Sequence, residues 1–371
     1  MPNQWNKIYL DSASTTKVDT EVASTYTKLL EDYYNPDALY DGGVSVFKRQ
    51  EKSRQVIGEL LGVKTEDLIF TSGASEANNT IIKGLSMFHK GGHIISSYYE
   101  HSSIYEALKQ VEEYLDVEVT YLMPNKSGHI EASSIERAIR PNTFLVTIMA
   151  VNNEVGTIND IRAISKVTKA KPQLVFHSDM TQAIGKIAID LSLVDAASFS
   201  AHKINGIKGS GLLYKRQHIE IAPLISAGQQ EFHLRGGTSN APANIVLAKT
   251  IRKALERVND ANFLALDKYL YESLVQIKGI KINIKNDAPG ILSISTPLKT
   301  EVMINALNLE GIMVSGKSTC GSRENEPSRT LEALGIESDY TIRLSLGHHN
   351  TKEEVDHFLA ILKEIIIRYE R

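Results

Sequence analysis

Cysteine is almost absent from this chain, since Cys320 is the only one among 371 residues. A lone cysteine excludes an internal disulfide, so nothing in the composition points to an oxidising compartment. Charge of one sign is not in excess either, because 41 basic residues stand against 44 acidic ones. This balance offers no electrostatic footprint for nucleic acid or an anionic membrane, and we expect no direct nucleic-acid binding.

Long apolar runs are also lacking. No stretch approaches the ~20 apolar residues of a membrane-spanning helix, and residues 1–7 have no apolar core typical of a secretory signal. We therefore expect a cytoplasmic protein without membrane association. No group of Cys and His residues has the spacing of a zinc site, and one cysteine cannot hold an iron–sulfur cluster, so the sequence predicts no metal centre.

The lone Cys320 lies in residues 315–322, a segment rich in Ser, Thr, Gly and Lys. This composition is typical of an exposed loop rather than a buried core. Unreactive cysteines are usually buried as small hydrophobic residues, so a thiol in this setting favours a nucleophile. A cysteine without any function in a surface loop fits the segment equally well, and the segment alone does not decide between the two.

The chain length indicates two domains, because single cores usually stop growing near ~250–300 residues. In the first two thirds, short apolar runs alternate with amphipathic stretches. This pattern is typical of an α/β fold with a mostly parallel, seven-stranded sheet and helices on both faces. The predicted strands cover residues 68–70, 93–95, 117–121, 144–148, 173–176, 196–199 and 211–214.

The pattern changes from about residue 243. A long helical stretch over 244–277 precedes short apolar runs at 280–285 and 291–294, and a capping box at 351–354 opens a final amphipathic helix. This order predicts a smaller α+β domain. We place a large domain at 15–245 and a small domain at 1–14 and 246–371, with the cysteine loop at about 314–327 in the small domain.

Polar or small residues follow most of the predicted strands. Ligands of open α/β sheets bind beyond the carboxyl ends of the strands, so these residues are candidates for a site. They are Ala74 and Ser75 at an apparent helix start, His101, Asn153, Asp179 with Gln182, and Ser200, His202 and Lys203. A helix start with small residues presents backbone N–H groups to an anion such as phosphate. Taken singly, each residue also has an ordinary structural explanation, such as a helix cap.

Asp179 and Lys203 together suit one cofactor, pyridoxal 5'-phosphate. Its ring nitrogen needs a carboxylate to stay protonated, and its aldehyde needs a lysine amine. The two residues lie 24 positions apart, each beyond a predicted strand, which is enough for one crossover between neighbouring strands. The other candidates can then surround the cofactor, with Gln182 at the ring hydroxyl, His101 on the ring face, and Ser75, Ser200 and His202 at the phosphate.

Nine short motifs follow one another along nearly the whole chain. They are residues 9–16, 71–76, 100–101, 151–156, 177–182, 198–203, 235–238, Cys320 with 326–328, and 342–347. Each is weak alone, but the ordered set is specific. With these motifs the chain resembles the cysteine desulfurases of the class V aminotransferase family, which have the type I fold of pyridoxal phosphate enzymes. The resemblance implies that the large domain binds the cofactor.

The resemblance also implies a role for each matching residue. The implied cofactor contacts are Lys203 at the aldehyde, Asp179 and Gln182 on the ring, His101 as stacking acid or base, Asn153 beside cofactor and substrate, Ala74, Ser75, Ser200 and His202 at the phosphate, and Thr238 at the phosphate of the other subunit. Arg343 is implied as the group that binds the substrate carboxylate, with Asn35 as its helper. A shared site of this kind implies a homodimer.

The implied reaction converts L-cysteine to L-alanine and leaves a persulfide on Cys320. Its sulfur then passes to a protein acceptor, such as a tRNA-thiolating enzyme or an iron–sulfur scaffold. Two other interpretations stay open: a selenocysteine lyase or small-substrate aminotransferase of the same family, and a scaffold without catalysis. Residues 37–43 lack the histidine that usually follows the Asn-Pro pair of the family, which leaves the substrate contacts of this loop undecided.

Overall fold

The computed structural model describes residues 7–285, 287–316 and 328–369. The strands in these residues are β1 (Ile8–Tyr9), β2 (Leu68–Thr71), β3 (His93–Ser97), β4 (Glu118–Leu122), β5 (Thr143–Thr147), β6 (Val175–Asp179), β7 (Ala196–Ser200), β8 (Gly211–Lys215), β9 (Lys281–Ile282), β10 (Ile291–Ser295), β11 (Ile312–Met313) and β12 (Thr341–Ser345). The α-helices are α1 (Thr20–Leu29), α2 (Asp41–Leu61), α3 (Ala74–Ser86), α4 (Ser102–Tyr114), α5 (Ala132–Ala138), α6 (Ile161–Lys169), α7 (Ala241–Glu256), α8 (Ala261–Val275), α9 (Thr300–Leu309), α10 (Arg329–Ala333) and α11 (Lys352–Tyr369).

Seven strands form the central sheet, in the order β2-β8-β7-β6-β5-β3-β4. Strand β8 runs antiparallel to both of its neighbours, and the other pairs in the sheet are parallel. Successive residues such as Ile94 and Ile95 belong to different apolar clusters, one containing residues of α3 and α4 and the other residues of α2, α6 and α7. Helices therefore cover both faces, which confirms the predicted α/β fold with a mostly parallel seven-stranded sheet.

Strand β6 begins and ends later than predicted, at Val175–Asp179 rather than 173–176. The amide of Leu174 donates to the carbonyl of Lys171, so a turn occupies the predicted start of the strand. The strand then continues through His177, Ser178 and Asp179, which are all buried. Apolar periodicity cannot mark this end, because the last three residues of the strand are polar.

A second group of strands comes from the C-terminal part of the chain, together with β1 from the N-terminal segment. Strands β12, β10 and β9 form an antiparallel sheet, and β1 pairs in parallel with β11. Their apolar side chains share one cluster with those of α8, α9 and α11, and this cluster includes Ile8 and Leu10 from the N-terminal segment. The domain boundaries given above stay a prediction.

The predicted helical stretch over 244–277 consists of two helices, α7 and α8. Asn259 between them has a left-handed φ of 67°, and the side chain of Asp260 accepts hydrogen bonds from the first amides of α8. A left-handed residue followed by an N-cap ends one helix and starts the next. The predicted capping box of the last helix is confirmed, since Thr351 and Glu354 exchange side-chain to backbone hydrogen bonds.

Within the ranges described above, no helix combines the length and the apolar character needed to cross a membrane.

Candidate active site

A cavity of about 540 Å³ lies at the carboxyl ends of the parallel strands of the central sheet. This volume is in the range of small-molecule and cofactor sites. Its walls come from the ends of β6 and β7, the start of α3 and the segment after β5, and Arg343 of β12 adds a group from the second sheet. Backbone and side chains of residues 13–15 form a further wall.

Lys203 enters the cavity from the short 3-10 turn that directly follows β7. Its Nζ donates to the carbonyl of Ala13 at 2.6 Å and to that of Ser14 at 2.7 Å. These two carbonyls belong to the N-terminal segment, which approaches the end of the sheet through the pairing of β1 with β11. The amine is therefore held at the cavity wall by backbone oxygens.

Asp179 is the last residue of β6, and only 6% of its surface is exposed. Its Oδ1 accepts a hydrogen bond from the amide of Thr181 at 2.9 Å, and its Oδ2 accepts one from Nδ2 of Asn78 at 2.9 Å. Two donors orient the carboxylate and stabilise its charge. Asp179 can thus accept a further hydrogen bond from a ring N–H in the cavity.

His101 is the N-cap of α4, just beyond the end of β3. Its Nδ1 accepts a hydrogen bond from the amide of Ser103 at 3.2 Å and lies 2.9 Å from the hydroxyl of the same residue. Burial lowers the pKa of His101; Asp179 opposes this change, and Lys203 adds to it. A neutral imidazole that accepts at Nδ1 carries its proton on Nε2.

The part of the cavity wall formed by the start of α3 suits a phosphate. Helix α3 begins at Ala74 without a side-chain cap, so the amides of its first turn are available to an anion. Hydroxyls of Ser75 and Ser200 line this region together with His202. Burial lowers the pKa of His202 to about 4, which leaves its ring neutral at pH 7, and its Nδ1 lies 3.1 Å from Oγ1 of Thr15.

Arg343 is 3% exposed and projects from β12 into the cavity. Its Nη2 donates to Oδ1 of Asp11 at 2.8 Å and to the hydroxyl of Ser14 at 2.7 Å. Its Nη1 donates to the carbonyl of Asn153 at 2.8 Å. Nη1 has a second N–H besides the one that it gives to Asn153, so the guanidinium keeps a donor for a ligand carboxylate.

The cavity brings together most of the predicted site residues. Those that line it are Ala74, Ser75, His101, Asn153, Asp179, Gln182, Ser200, His202, Lys203 and Arg343. Asn35 is exposed, does not line the cavity, and accepts the amide of Asp37 at Oδ1. Thr238 is exposed beside a separate cleft. Cys320 lies outside the described residues, and the functional roles of all these residues stay predictions.

Sequence reasoning missed two residues that hold the predicted ones in place. Asn78 donates to Asp179, and its position four residues after Ala74 puts it one helical turn along α3 from the cavity. Asp11 forms the ion pair with Arg343 and belongs to the first motif, residues 9–16. Helical spacing from a predicted site residue could have identified Asn78. No pattern in the sequence around Asp11 indicates that its partner is Arg343.

The donor set of the cavity fits pyridoxal 5'-phosphate. A lysine amine, a buried carboxylate and an uncapped helix start with nearby hydroxyls match its aldehyde, ring nitrogen and phosphate. Arg343 lies in the same cavity and suits the carboxylate of an amino acid. The arrangement can therefore hold the cofactor and an amino acid side by side.

Comparisons with known proteins agree with this chemistry. The family model described as aminotransferase class-V matches residues 8–358. A relative named cysteine desulfurase IscS, from Buchnera aphidicola, is 38% identical, with 98% of this chain and 93% of the relative covered. A solved NifS-like protein superposes with a TM-score of 0.91 at 33% identity, covering 98% of this chain and all of that one. A second structure, described as SspA in complex with cysteine, has a TM-score of 0.82 at 32% identity, with 93% and 100% covered.

Proposed function

This chain belongs to the class V aminotransferase family and is a cysteine desulfurase dependent on pyridoxal phosphate, and we propose that Lys203, Asp179, His101, Arg343 and Cys320 carry its reaction. The observation that supports this assignment is the single cavity in which a lysine amine, a buried carboxylate and a guanidinium converge. In the proposed reaction L-cysteine becomes L-alanine, and its sulfur is first transferred to Cys320.

When bound, pyridoxal phosphate supplies an electrophilic aldehyde and a ring that takes up the electron pair released at the substrate Cα. Asp179 holds the proton of the ring nitrogen, because its carboxylate is oriented by Asn78 and Thr181. The amides at the start of α3, with Ser75, Ser200 and His202, bind the phosphate. Gln182 would contact the ring hydroxyl, and the imidazole of His101 would lie against the ring.

Arg343 fixes the orientation of the substrate by binding its α-carboxylate. Asp11, Ser14 and the carbonyl of Asn153 hold the guanidinium from one side, so it cannot rotate away from the cavity. A bound carboxylate restricts the bonds at Cα to one arrangement relative to the cofactor. The solved relative described as a complex with cysteine supports L-cysteine as the substrate, and Asn35 and Asn153 are proposed to assist.

Lys203 moves the proton that leaves Cα. Its Nζ donates to the carbonyls of Ala13 and Ser14, and these contacts would hold the amine at the cavity wall, beside a bound substrate. His101 is a second group able to move a proton, because its neutral ring carries hydrogen on Nε2. We assign the proton at Cα to Lys203 and a supporting role to His101.

Cys320 accepts the sulfur as a thiolate. Its Sγ attacks the sulfur of the bound cysteine, an S–S bond forms, and the Cβ–S bond of the substrate breaks. The electron pair of the broken bond stays with the substrate carbon, which takes up a proton and leaves as alanine. Cys320 then holds a persulfide, and the step needs no external oxidant, because reduction at carbon balances oxidation at sulfur.

A Cys320→Ser variant tests this assignment. We expect it to retain the visible absorbance of the bound cofactor, because no cofactor contact is removed, and to lose at least ~100-fold in the rate of alanine formation, the scale of a lost nucleophile. Mass spectrometry of the wild-type protein after exposure to L-cysteine should show 32 Da added at Cys320, the mass of one sulfur atom. Alanine formation at the wild-type rate in Cys320→Ser would instead identify a lyase that does not use this thiol.

A homodimer and a protein sulfur acceptor complete the proposal. Thr238 is exposed at a cleft that shares Ser72 and Gly209 with the cavity wall, a position that suits contact with the phosphate of a second subunit. We propose that the persulfide passes to a tRNA-thiolating enzyme or an iron–sulfur scaffold. Transfer of radiolabelled sulfur from Cys320 to purified candidates tests the acceptor, and an active monomer in light scattering would contradict the dimer.

A further inference from the structure

Lys186 is a partly buried lysine next to the cavity that the reaction above does not use. It follows Gly185, whose φ of 78° is in the left-handed region that favours glycine. A Cβ at Gly185 would also lie 3.1 Å from the Cβ of Ala254 in α7. This turn brings the side chain of Lys186 back towards Gln182, four residues earlier, and its Nζ donates to Oε1 of Gln182 at 2.9 Å.

The amide of Gln182 is held at both of its ends. Oε1 accepts from Lys186, while Nε2 donates to the carbonyl of Ala13 at 2.9 Å. The protonated form of Lys186 can only donate and a carbonyl can only accept, so with Lys186 protonated these two partners allow one orientation of the amide and exclude the flipped one. Gln182 is 4% exposed and lines the cavity. The second N–H of its Nε2 remains for a ligand atom that accepts.

Hydrogen bonds connect Lys186 to the reactive lysine. The carbonyl of Ala13 accepts from Gln182 and also from Nζ of Lys203, so Lys186, Gln182 and Lys203 form one continuous set of contacts. Burial, with Lys203 and Arg343 nearby, lowers the pKa of Lys186 to about 7. The other charged or titratable groups that face it are Arg257 and His348, which border the same cavity of about 30 Å³.

We propose that Lys186 is a positioning residue that orients Gln182, so that Nε2 of Gln182 donates to the anionic ring oxygen of the cofactor. This inference rests on the proposed function of the cavity. An amide free to flip would present Oε1 to the same oxygen and repel it. Lys186 thus supports the negative charge beside the bond between Lys203 and the cofactor without touching either.

A pH titration of the visible absorbance of the holoenzyme tests the proposal. A donor to the ring oxygen stabilises its negative charge, so the proton shared between this oxygen and the Lys203 nitrogen leaves at lower pH. We expect Lys186→Met to raise the midpoint by ~1 pH unit, about the value of one hydrogen bond to a charged group. Cofactor binding measured by equilibrium dialysis should weaken ~10-fold, and Lys186→Arg should restore both values because it keeps a donor.

A comparison of single and double variants separates the orienting effect of Lys186 on Gln182 from the general effect of removing a lysine near the cavity. Gln182→Leu should raise the midpoint as Lys186→Met does, and Lys186→Met should add little in the Gln182→Leu background, because residues that act through one contact are not additive. Lys186→Ala serves in the same comparison if the Met variant does not fold. A full additional shift in the Gln182→Leu background, or no shift in the wild-type background, would overturn the proposal.

Lys215→Met is the matched control. Lys215 is a buried lysine at the far end of β8, and it donates to the carbonyls of Arg216 and Ile219. Its loss should leave the midpoint unchanged even where stability falls. Absence of any visible band in the wild-type holoenzyme would contradict the proposed function itself, whereas a normal band that Lys186→Met does not shift would contradict only the role of Lys186.

Discussion

At the scale of residues, Arg343 is held in one orientation at the cavity, which suits the substrate-binding role that we propose for it. Three oxygens of Asp11, Ser14 and Asn153 accept from its two terminal nitrogens. The planar guanidinium is therefore oriented before any ligand arrives, and its buried Nε has no hydrogen-bond partner among the residues that the structure describes. A lysine could not reproduce this arrangement, because its ammonium is a point charge on a flexible stem.

We predict that Arg343→Lys raises the KM for L-cysteine by ~10-fold or more, the loss of about one charge-assisted hydrogen bond. Steady-state kinetics of alanine formation would measure this change. The visible absorbance of the cofactor should be retained, because Arg343 is not assigned to the cofactor. Arg140→Lys is a matched control, since Arg140 pairs with Glu118 on the surface, and a KM unchanged in Arg343→Lys would remove Arg343 from substrate binding.

The sequence predicted most of the site residues that line the cavity, but it did not predict those that hold them in place. Asp179 and Lys203 could be proposed because each follows a predicted strand and one cofactor needs both. Asp11 could not be assigned a partner, because its contact with Arg343 joins positions 332 residues apart. Asn35 and Thr238 do not line the cavity, and the roles inferred for them stay predictions.

At the scale of elements, the start of β8 packs closely against the start of α3. A Cβ on Gly211 would collide with backbone atoms of Gly73 and would lie 2.6 Å from the carbonyl oxygen of Phe199. Backbone atoms cannot move aside as the end of a flexible side chain can. Gly211 therefore lets strand β8 support the helix start that we assign to the cofactor phosphate.

We predict that Gly211→Ala destabilises the protein by ~1–3 kcal/mol, the usual cost of overpacking, and weakens cofactor binding because α3 must shift. Urea unfolding and equilibrium dialysis would measure the two effects. Gly91→Ala is the control. The backbone at position 91 favours glycine because its φ is 69°, but an added Cβ would meet open space there. Cofactor binding as weak in Gly91→Ala as in Gly211→Ala would rule out the close approach as the cause.

The turn after β5 connects the cavity, which Asn153 lines, with helix α10. Oε2 of Glu154 accepts from the hydroxyl of Ser328 at 2.6 Å, and its Oε1 accepts from that of Thr330 at 3.2 Å. Its neighbour Asn153 accepts from Arg343 through its carbonyl. Ser328 also caps α10 and is the first described residue after the segment 317–327, which contains Cys320.

We predict that Glu154→Ala slows persulfide formation on Cys320 by ~10-fold, because two hydrogen bonds to a buried carboxylate are lost at the start of α10. Single-turnover mass spectrometry would measure this rate. Glu154→Gln, which keeps an acceptor, should lose less. An unchanged rate in Glu154→Ala, with α10 still capped by Ser328, would show that the contacts of Glu154 do not affect persulfide formation.

Element prediction succeeded where apolar patterns have clear ends. The strands of the central sheet were all found, and the capping box of α11 was located correctly. The shifted ends of β6 and the break between α7 and α8 escape prediction for a common reason, because polar buried residues and a left-handed asparagine leave no trace in hydrophobic periodicity. The strand order of the central sheet and the pairing of β1 with β11 depend on long-range contacts, which no local pattern contains.

At the scale of the whole molecule, burial makes many histidines unfavourable to protonate. Burial lowers the pKa of seven of them, namely His89, His93, His101, His177, His202, His348 and His349. For His93 and His177 the pKa falls to about 4. Both rings lie between hydroxyl groups inside the sheet, His93 beside Thr143 and Thr120 at 2.8 Å each. Neutral rings satisfy these partners, and for charged rings the attraction of Glu118 to His93 and of Asp179 to His177 does not offset the lost hydration.

These shifts predict that the cofactor-free protein loses stability as the pH falls from 6.5 towards 4. In this window the unfolded chain binds protons at its histidines and the folded chain does not, so the free energy of unfolding rises with pH. Each shift to about 4 contributes up to ~3 kcal/mol. Glu100 acts in the opposite direction, because burial raises its pKa to about 8. Its folded form takes up one proton in this window, whereas the unfolded chain takes up one at each of several histidines.

Urea unfolding at pH 7 and pH 5 would measure the expected net loss of ~3 kcal/mol, obtained by setting the histidine shifts against that of Glu100. His177→Gln should reduce the dependence on pH, because the unfolded chain then has one fewer site that takes up a proton only on unfolding. His218→Gln is the matched control, since His218 is exposed and its loss should leave the pH dependence as it is. A free energy of unfolding that is equal at both pH values would show that folded and unfolded chains bind the same number of protons, and buried neutral histidines would then not explain the acid response of this fold.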